Sequence, residues 1–417
     1  MNASPHVVVV GGGAVGASCA LALVRRGARV TLVERGGSLA WACSAGSAGL
    51  VCPSHATPLA SPAALRLGLK YLFKPDGPLR LSPRPALVPW IARFVAASTP
   101  DRAERGTHVL RELSLLGLAG HVALADEGLD TTLVRAGALA VYATEEALAG
   151  GRVEAAEARA AGVEAEELTA AEAAGLAPML GPRVAGAVHW PGDAHCDGEA
   201  YTLAVGQAAV GRGASLRTRV EVLGLIVRDG RVRGVETTEG PIRADEVVLA
   251  NGAWSPRLAR QAGVVLPVEG GKGYHVEVEL PGEPPPLPLW AVEARVIATP
   301  LAGRLRLAGT LELAGLDESI DARRVDAVVR AGGRLLPGLR GQPVRRVWRG
   351  LRPCSPDGLP VIGRPPGVDG LVLATGHGMM GLTLAPITGT LVAELVADDP
   401  PSVDLAPLAP ARFGSLL

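Results

Sequence analysis

The stretch that decides the fold runs from residue 6 to residue 34, HVVVVGGGAVGASCALALVRRGARVTLVE. Val7 to Val10 form a continuous apolar run that stops at Gly11, the pattern of a strand buried on both faces of a parallel sheet. Gly11-x-Gly13-x-x-Gly16 follows and opens a helix that extends to Val24. After a turn at Arg26-Gly27, a second strand over 29–33 ends at Glu34. Each glycine has a physical task. Gly11 permits the tight turn, Gly13 lets backbone N–H groups approach a pyrophosphate, and Gly16 lets the helix lie close to the sheet. Ala14 and Val15 complete the turn into the helix. Glu34, 18 residues beyond Gly16, is placed to accept hydrogen bonds from an adenosine ribose, and its charge would repel a 2′-phosphate. The stretch therefore reads as a dinucleotide-binding βαβ unit that disfavours NADP.

The fingerprint does not by itself separate FAD from NAD. An NAD protein usually gathers its nucleotide contacts in one N-terminal block. Here glycine-rich turns after apolar strands recur at Ala250-Asn251-Gly252 and Thr375-Gly376-His377-Gly378. A cofactor held along its length by dispersed segments, such as FAD, accounts for that better. Between these points the pattern predicts helices over 101–127, 199–210 and 321–335. A capping box at Thr169-x-x-Glu172 predicts a short helix ending before Pro178. Strands are predicted over 133–143, 215–220 and 242–250, and alternation runs through 273–313. Asp229-Gly230 joins 223–228 to 231–237 as a hairpin. A strand over 371–374, a glycine turn and a helix over 382–396 close the chain.

The 417 residues are room for two lobes. Apolar types make up 48% and charged types 20%, a globular composition, and Lys+Arg equal Asp+Glu at 41 each. That balance argues against a nucleic-acid partner. Only Lys70, Lys74 and Lys272 are lysines, so a single arginine carries little signal. Cys19, Cys43, Cys52, Cys196 and Cys354 are odd in number and contain no C-x-x-C pair, the inventory of a reduced, cytoplasmic protein. The N-terminus lacks a signal-peptide pattern, and no apolar run approaches the ~20 residues that span a bilayer.

The C-terminal third carries the most specific pattern. Trp348-Arg349-Gly350-Leu351-Arg352-Pro353 leads into Ser355-Pro356-Asp357-Gly358-x-Pro360-Val361-Ile362-Gly363, and then Gly376-His377-Gly378-Met379-Met380-Gly381-Leu382-Thr383. With the N-terminal fingerprint, the small-residue loop Ser44-Ala45-Gly46-Ser47-Ala48-Gly49 and Lys272-Gly273-Tyr274, it resembles the D-amino-acid oxidase superfamily of FAD-dependent oxidoreductases. The pattern of the bacterial D-amino-acid dehydrogenases is nearest, and the likeness covers nearly the whole chain. The fold it implies is α/β: a discontinuous Rossmann-like FAD-binding domain and a substrate domain built on a mixed antiparallel β-sheet with helices. The expected division is FAD-binding over 1–60, 148–255 and 345–417, and substrate-binding over 61–147 and 256–344.

The resemblance also implies roles. Arg352 would grip the substrate carboxylate with its planar guanidinium, with Tyr274 lining the same site. Gly376, His377 and Gly378, followed by Met379, Gly381, Leu382 and Thr383, would bring N–H groups and a helix dipole to the flavin pyrimidine. Ala48, Gly49 and Leu50 would run beside the isoalloxazine. Val220 would meet the adenine, and Arg35, Ser44 and Gly252 complete the cofactor contacts. Gly350 stands where one branch of relatives carries a cysteine that bonds covalently to flavin, so the FAD is expected to be non-covalent. Ser47 and His55 stand where dehydrogenase-type relatives tend to have Asn and Tyr, and His55 lies close to the expected substrate pocket. The implied reaction is oxidative deamination of an amino acid, of D configuration, to the 2-oxo acid and ammonia. Hydride would pass from Cα to flavin N5, with quinone or oxygen as the final acceptor. Glycine/sarcosine-type oxidases, D-hydroxyproline dehydrogenases and a flavin-binding subunit of an electron-transfer complex stay open as alternatives.

His189, Asp193, His195, Cys196 and Asp197 cluster in sequence, but Pro191-Gly192 interposes a turn, and the reading is a polar loop with no metal. The stretch 61–98 sets Arg66, Lys70, Lys74 and Arg80 among Leu65, Leu69, Tyr71, Leu72 and Phe73. It reads as a lid over the substrate pocket, with peripheral contact to the inner face of the plasma membrane as the companion reading.

Overall fold

The four valines of the first strand, His6–Val10, are all buried, because parallel neighbours flank them on both sides. The computed structural model describes residues 4–71, 79–280 and 282–414. In it a six-stranded sheet runs in the order Val361–Gly363, Leu371–Thr375, Glu246–Leu249, His6–Val10, Arg29–Glu34, Ser215–Thr218. All neighbours pair in parallel except the first two. On one face the helix Ala14–Arg25 packs between the helices Gly198–Gly211 and Ala385–Ala397. On the other lies a three-stranded antiparallel sheet, Val222–Arg228, Arg231–Thr237, Gly240–Arg243, whose Val232 and Val235 are fully buried. Its first hairpin turns at Asp229-Gly230, both at positive φ (50° and 71°), as the dipeptide predicts. The predicted strand over 242–250 is broken instead. Residues Gly240–Arg243 belong to the small sheet and Glu246–Leu249 to the large one.

The second sheet follows the order Val344–Cys354, Glu269–Val278, Arg304–Leu313, Val296–Leu301, Leu289–Ala291, Ala138–Tyr142, Gly186–Trp190, Glu166–Thr169, with Leu79–Leu81 pairing beside Arg304–Leu313. It is mixed but mostly antiparallel. The helix Ala322–Leu335 covers one face, burying Val325, Val328, Ala331 and Leu335 at helical spacing against Val276, Leu305 and Leu307. Asp321 caps its N-terminus, accepting from Arg323 N at 3.0 Å. The capping box at Thr169 and Glu172 forms as predicted.

Sheet membership differs from the division expected by sequence. Residues 148–190 were assigned to the nucleotide lobe, yet Gly186–Trp190 pairs with Ala138–Tyr142 and Glu166–Thr169 pairs with Gly186–Trp190, all in the second sheet. Likewise Val344–Cys354 pairs along the whole of Glu269–Val278, so residues 345–354 also belong to that sheet. An alternating strand looks the same whichever sheet accepts it; pairing is decided by tertiary partners, not local pattern.

Within 61–98, the helices Pro62–Tyr71 and Val88–Ala97 form. The Lys70 and Tyr71 side chains, with Leu72, Phe73 and Lys74, fall outside the described residues. Among the described residues no helix is long and apolar enough to cross a membrane, and all five cysteines are free.

Candidate active site

A cavity of about 1040 Å³ runs where the two large sheets meet, and the glycine turns expected from sequence open onto it. At its nucleotide end, Gly11 sits at φ +106° against Ala250, a conformation and a proximity that a side chain would not tolerate. Gly16 does not line the cavity. A Cβ there would lie 1.8 Å from the Gly11 carbonyl oxygen, so its work is to let the helix close on the turn. Glu34 is buried, with Oε2 accepting from Gly12 N and Oε1 from Gly36 N, both at 2.7 Å. Those two bonds fix the carboxylate at the cavity edge. Ser44 Oγ accepts from Ala14 N at 2.9 Å, and Val220 N donates to the Glu34 carbonyl at 3.1 Å. Arg35 lies 3.9 Å over the Trp254 ring, a cation–π contact that sequence reading did not anticipate.

Further along, Ser44, Ala48, Gly49 and Leu50 line one wall, and Gly252, Gly376, His377, Gly378, Met379, Gly381 and Leu382 line another. Thr383 stands behind that second wall. Its Oγ1 donates to the Leu50 carbonyl and accepts from Cys52 N, joining the two walls. His377 is buried, and its Nε2 meets Thr388 Oγ1 at 2.9 Å. Burial holds its pKa down at about 3, so the ring is neutral and pins the turn to the last helix. That helix starts at Ala385, later than the glycine turn suggested. Gly378 N is occupied by the Pro353 carbonyl at 2.8 Å. Among the described residues, the N–H groups of Met379, Gly381, Leu382 and Thr383 donate to no protein acceptor. Met379 is exposed, but Gly381, Leu382 and Thr383 are half-buried or buried, where amides without partners are costly unless a ligand meets them. They fit the electron-rich pyrimidine edge of a flavin.

Arg352 stands at the junction of the sheets. Its Nη1 donates to the Thr310 carbonyl at 3.0 Å, and among the described residues no carboxylate pairs with it. The guanidinium lies directly over Gly273, where a Cβ would be 2.0 Å from Nη1. Thr310 itself is at φ +66°, unusual for a β-branched residue and placed at a bulge between the Lys272–Glu312 and Tyr274–Gly309 pairs, opposite Gly273. The guanidinium thus faces the cavity with donors to spare, the chemistry that recognises a carboxylate.

Tyr274 is a correction. Although it belongs to the cavity wall, its side chain is buried in the second lobe's core, and its hydroxyl accepts from Asp321 N at 3.3 Å. Strand alternation sends it to the face opposite Gly273 and Arg352, so the hydroxyl does not reach the carboxylate site. His55 does reach the cavity, edge-on to Trp290 with ring centroids 4.1 Å apart. Desolvation, helped by the charge of Arg295, holds its pKa near 4.

The sequence cluster around 189–197 separates in space. His189 bonds to Glu166, Asp193 accepts from Ser54, and Asp197 caps the helix Gly198–Gly211 and pairs with Arg304. Among the described residues no three metal-ligating side chains gather. Sequence reading assigned no role to Trp254, Thr310 or Trp348. The last lies over both Gly46 and Gly350, either of which would collide with it if given a Cβ. The spacing Trp348-x-Gly350, two residues apart on one strand face, is the signal that could have revealed that packing.

The FAD dependent oxidoreductase family model matches residues 6–395. A D-amino acid dehydrogenase of Paramagnetospirillum magneticum is 34% identical, with 99% of each chain covered. A D-amino-acid oxidase of Bradyrhizobium diazoefficiens is also 34% identical, covering 98% of this chain and 99% of its own. Among solved structures, glycine oxidase from Geobacillus kaustophilus aligns at a TM-score of 0.81 with 28% identity, covering 98% of this chain and 99% of its own. The chain belongs to the FAD-dependent oxidoreductase family, and its cofactor is FAD.

Proposed function

We propose that this oxidoreductase oxidises the Cα–N bond of an amino acid, of D configuration, giving an imino acid that water converts to the 2-oxo acid and ammonia. The observation that carries the reading is Arg352: a guanidinium held by the Thr310 carbonyl, over Gly273, unpaired with any described carboxylate and facing the cavity. The names of the relatives at 34% identity support the same substrate class.

Arg352 binds and orients the carboxylate, which sets Cα in place. The fingerprint Gly11 to Gly16 with Ser44 and Glu34 holds the nucleotide half of the cofactor. The unpartnered amides of Gly381 and Leu382 face its ring. Bound FAD supplies the two-electron acceptor. Neutral His55 and Trp290 close the far side of the site, and the nearby charge of Arg295 disfavours the ammonium form of a bound amine and so favours loss of its proton. Leu81, Ile91, Phe94 and Leu311 give that region an apolar wall, which suits a substrate with an apolar side chain better than glycine. The helix Val88–Ala97 belongs to that wall, and the exposure of its Val88, away from the cavity lining, supports peripheral membrane contact by the lid. The five free cysteines fit a cytoplasmic protein. The final acceptor is a quinone or oxygen.

The test is anaerobic mixing of the flavin-loaded protein with D- and L-amino acids, followed by admission of air. Bleaching of the flavin by D-amino acids is expected. No bleaching by any amino acid would sink the reading. Rapid return of colour in air would assign an oxidase, and a lasting bleach would assign a dehydrogenase.

A further inference from the structure

Four consecutive carbonyls in the cavity-lining loop, Gly46 to Gly49, are each held from the far side. His275 Nδ1 meets the Gly46 oxygen at 3.1 Å, Arg306 Nη1 donates to Ser47 O at 2.9 Å, and Thr299 Oγ1 donates to Ala48 O at 2.6 Å. Cys196 N donates to Gly49 O at 2.8 Å. The three side chains come from three adjacent strands of the nine-stranded sheet, and all three are fully buried.

Arg306 is the best anchored. Its Nε and Nη2 both donate to Glu277 Oε1, at 3.2 and 2.7 Å, and Glu277 is paired in turn with Arg304, which holds Asp197. In a trans peptide the C=O and the following N–H point in opposite directions, and no described peptide is cis. The Ser47 carbonyl points into the sheet at Arg306, so the Ala48 N–H must point the other way, toward the cavity that Ser47 and Ala48 both line. The neighbouring amides are occupied, Ser47 N by Ser44 O and Gly49 N by Ser47 Oγ. Ala48 N donates to no protein acceptor among the described residues.

We propose that Arg306 is a positioning residue for the redox reaction: by fixing the Ser47–Ala48 peptide it presents the Ala48 N–H as a hydrogen-bond donor to the flavin ring. The inference rests on FAD occupying this cavity. A donor aimed at a ring that gains negative charge favours the reduced state. Arg306 therefore raises the flavin's reduction potential without touching substrate or cofactor.

The experiment compares Arg306→Lys and Thr299→Val with the unaltered flavoprotein, reading FAD content and midpoint potential by dye equilibration. A lysine keeps the charge beside Glu277 but cannot serve Glu277 and Ser47 O together. Expected for Arg306→Lys is full FAD content with reduced flavin weakened at least tenfold relative to oxidised, a fall of about 30 mV for a two-electron couple. Thr299→Val frees a peptide whose N–H is already occupied, and its potential is expected to stay that of the unaltered protein. An unmoved potential in Arg306→Lys, or an equal fall in both variants, overturns the proposal. Should Arg306→Lys fail to fold, Glu277→Gln, which releases the guanidinium from its anchor, is read on the same two outcomes. A protein that holds FAD but is reduced by no amino acid would undo the functional reading and leave this one standing.

Discussion

Gly273 offers the sharpest test of how Arg352 is held. Its backbone is not in the left-handed region, so an alanine there costs no backbone strain. A Cβ would instead lie 2.0 Å from Arg352 Nη1, 2.5 Å from Cζ and 2.6 Å from Nη2. Ordinary contact needs about 3.5 Å, so the guanidinium must retreat by about 1.5 Å. That retreat breaks the 3.0 Å bond to Thr310 O and moves the carboxylate anchor. A misplacement of about 1 Å costs on the order of 100-fold in rate, or about 2.7 kcal/mol. Gly273→Ala is therefore expected to lower kcat/KM about 100-fold, chiefly through KM, with FAD content and melting temperature unchanged. Steady-state rates with a D-amino acid and an artificial acceptor measure it. Combined with Arg352→Ala it should add nothing, because both variants remove one interaction. Wild-type KM in Gly273→Ala, or full additivity in the double variant, refutes the reasoning.

Tyr274→Phe is expected to leave KM within about threefold, since the lost hydroxyl serves Asp321 N, while stability falls by about 1 kcal/mol; a large KM rise would return Tyr274 to the substrate site. Glu34→Ala removes the acceptor of both Gly12 N and Gly36 N, and FAD affinity should drop by roughly 30-fold or more, read from flavin fluorescence on dilution. Acid should destabilise the protein. Burial lowers the pKa of His121 to about 4 and of His275 and His377 to about 3, so below their ordinary 6.5 the unfolded chain binds more protons and stability falls with pH. Asp193 works the other way: desolvation raises its pKa to about 7, so its folded form gains protons first and stabilises as pH falls from 7 toward 3.8. His55 and His195, held near 4 by the same burial, add to these three, and five groups against one, each at most about 1.4 kcal/mol per pH unit, predict a lower melting temperature at pH 5 than at pH 7.5. A flat or rising profile would contradict these assignments.

The parts legible in sequence are those where backbone chemistry leaves few options. Gly11 at positive φ, the Asp229-Gly230 turn and the Thr169–Glu172 box each solve a local problem with a residue type that names it. The cavity walls were legible for the same reason, since close backbone approach requires the small residues at 44–49 and the glycines at 376, 378 and 381. Long-range pairing was not. Gly186–Trp190 carries no mark of the sheet it joins, so its pairing with Ala138–Tyr142 is not readable from local pattern. Tyr274 was misjudged although alternation contained the answer, because Gly273 and its neighbour must face opposite sides. Arg306 was invisible for a compositional reason: in a chain where all but three of 41 basic residues are arginine, nothing distinguishes the one that is fully buried.

The two halves of the chemistry share one piece of rigid structure. Gly273, under the Arg352 guanidinium, and His275, which holds the Gly46 carbonyl, lie two residues apart on the same face of the Glu269–Val278 strand, about 7 Å along it. Arg306 and Thr310 sit likewise on Arg304–Leu313, and Trp348 and Arg352 on Val344–Cys354. The separation of the Arg352 guanidinium, the proposed carboxylate anchor, from the loop at 46–49 is thus set by strand geometry inside one sheet. The helices at 62–71 and 88–97 also line the cavity but lie outside that sheet. Substrate preference is then free to change through the residues of those helices, while the distance between anchor and ring must stay constant for hydride transfer of any amino acid.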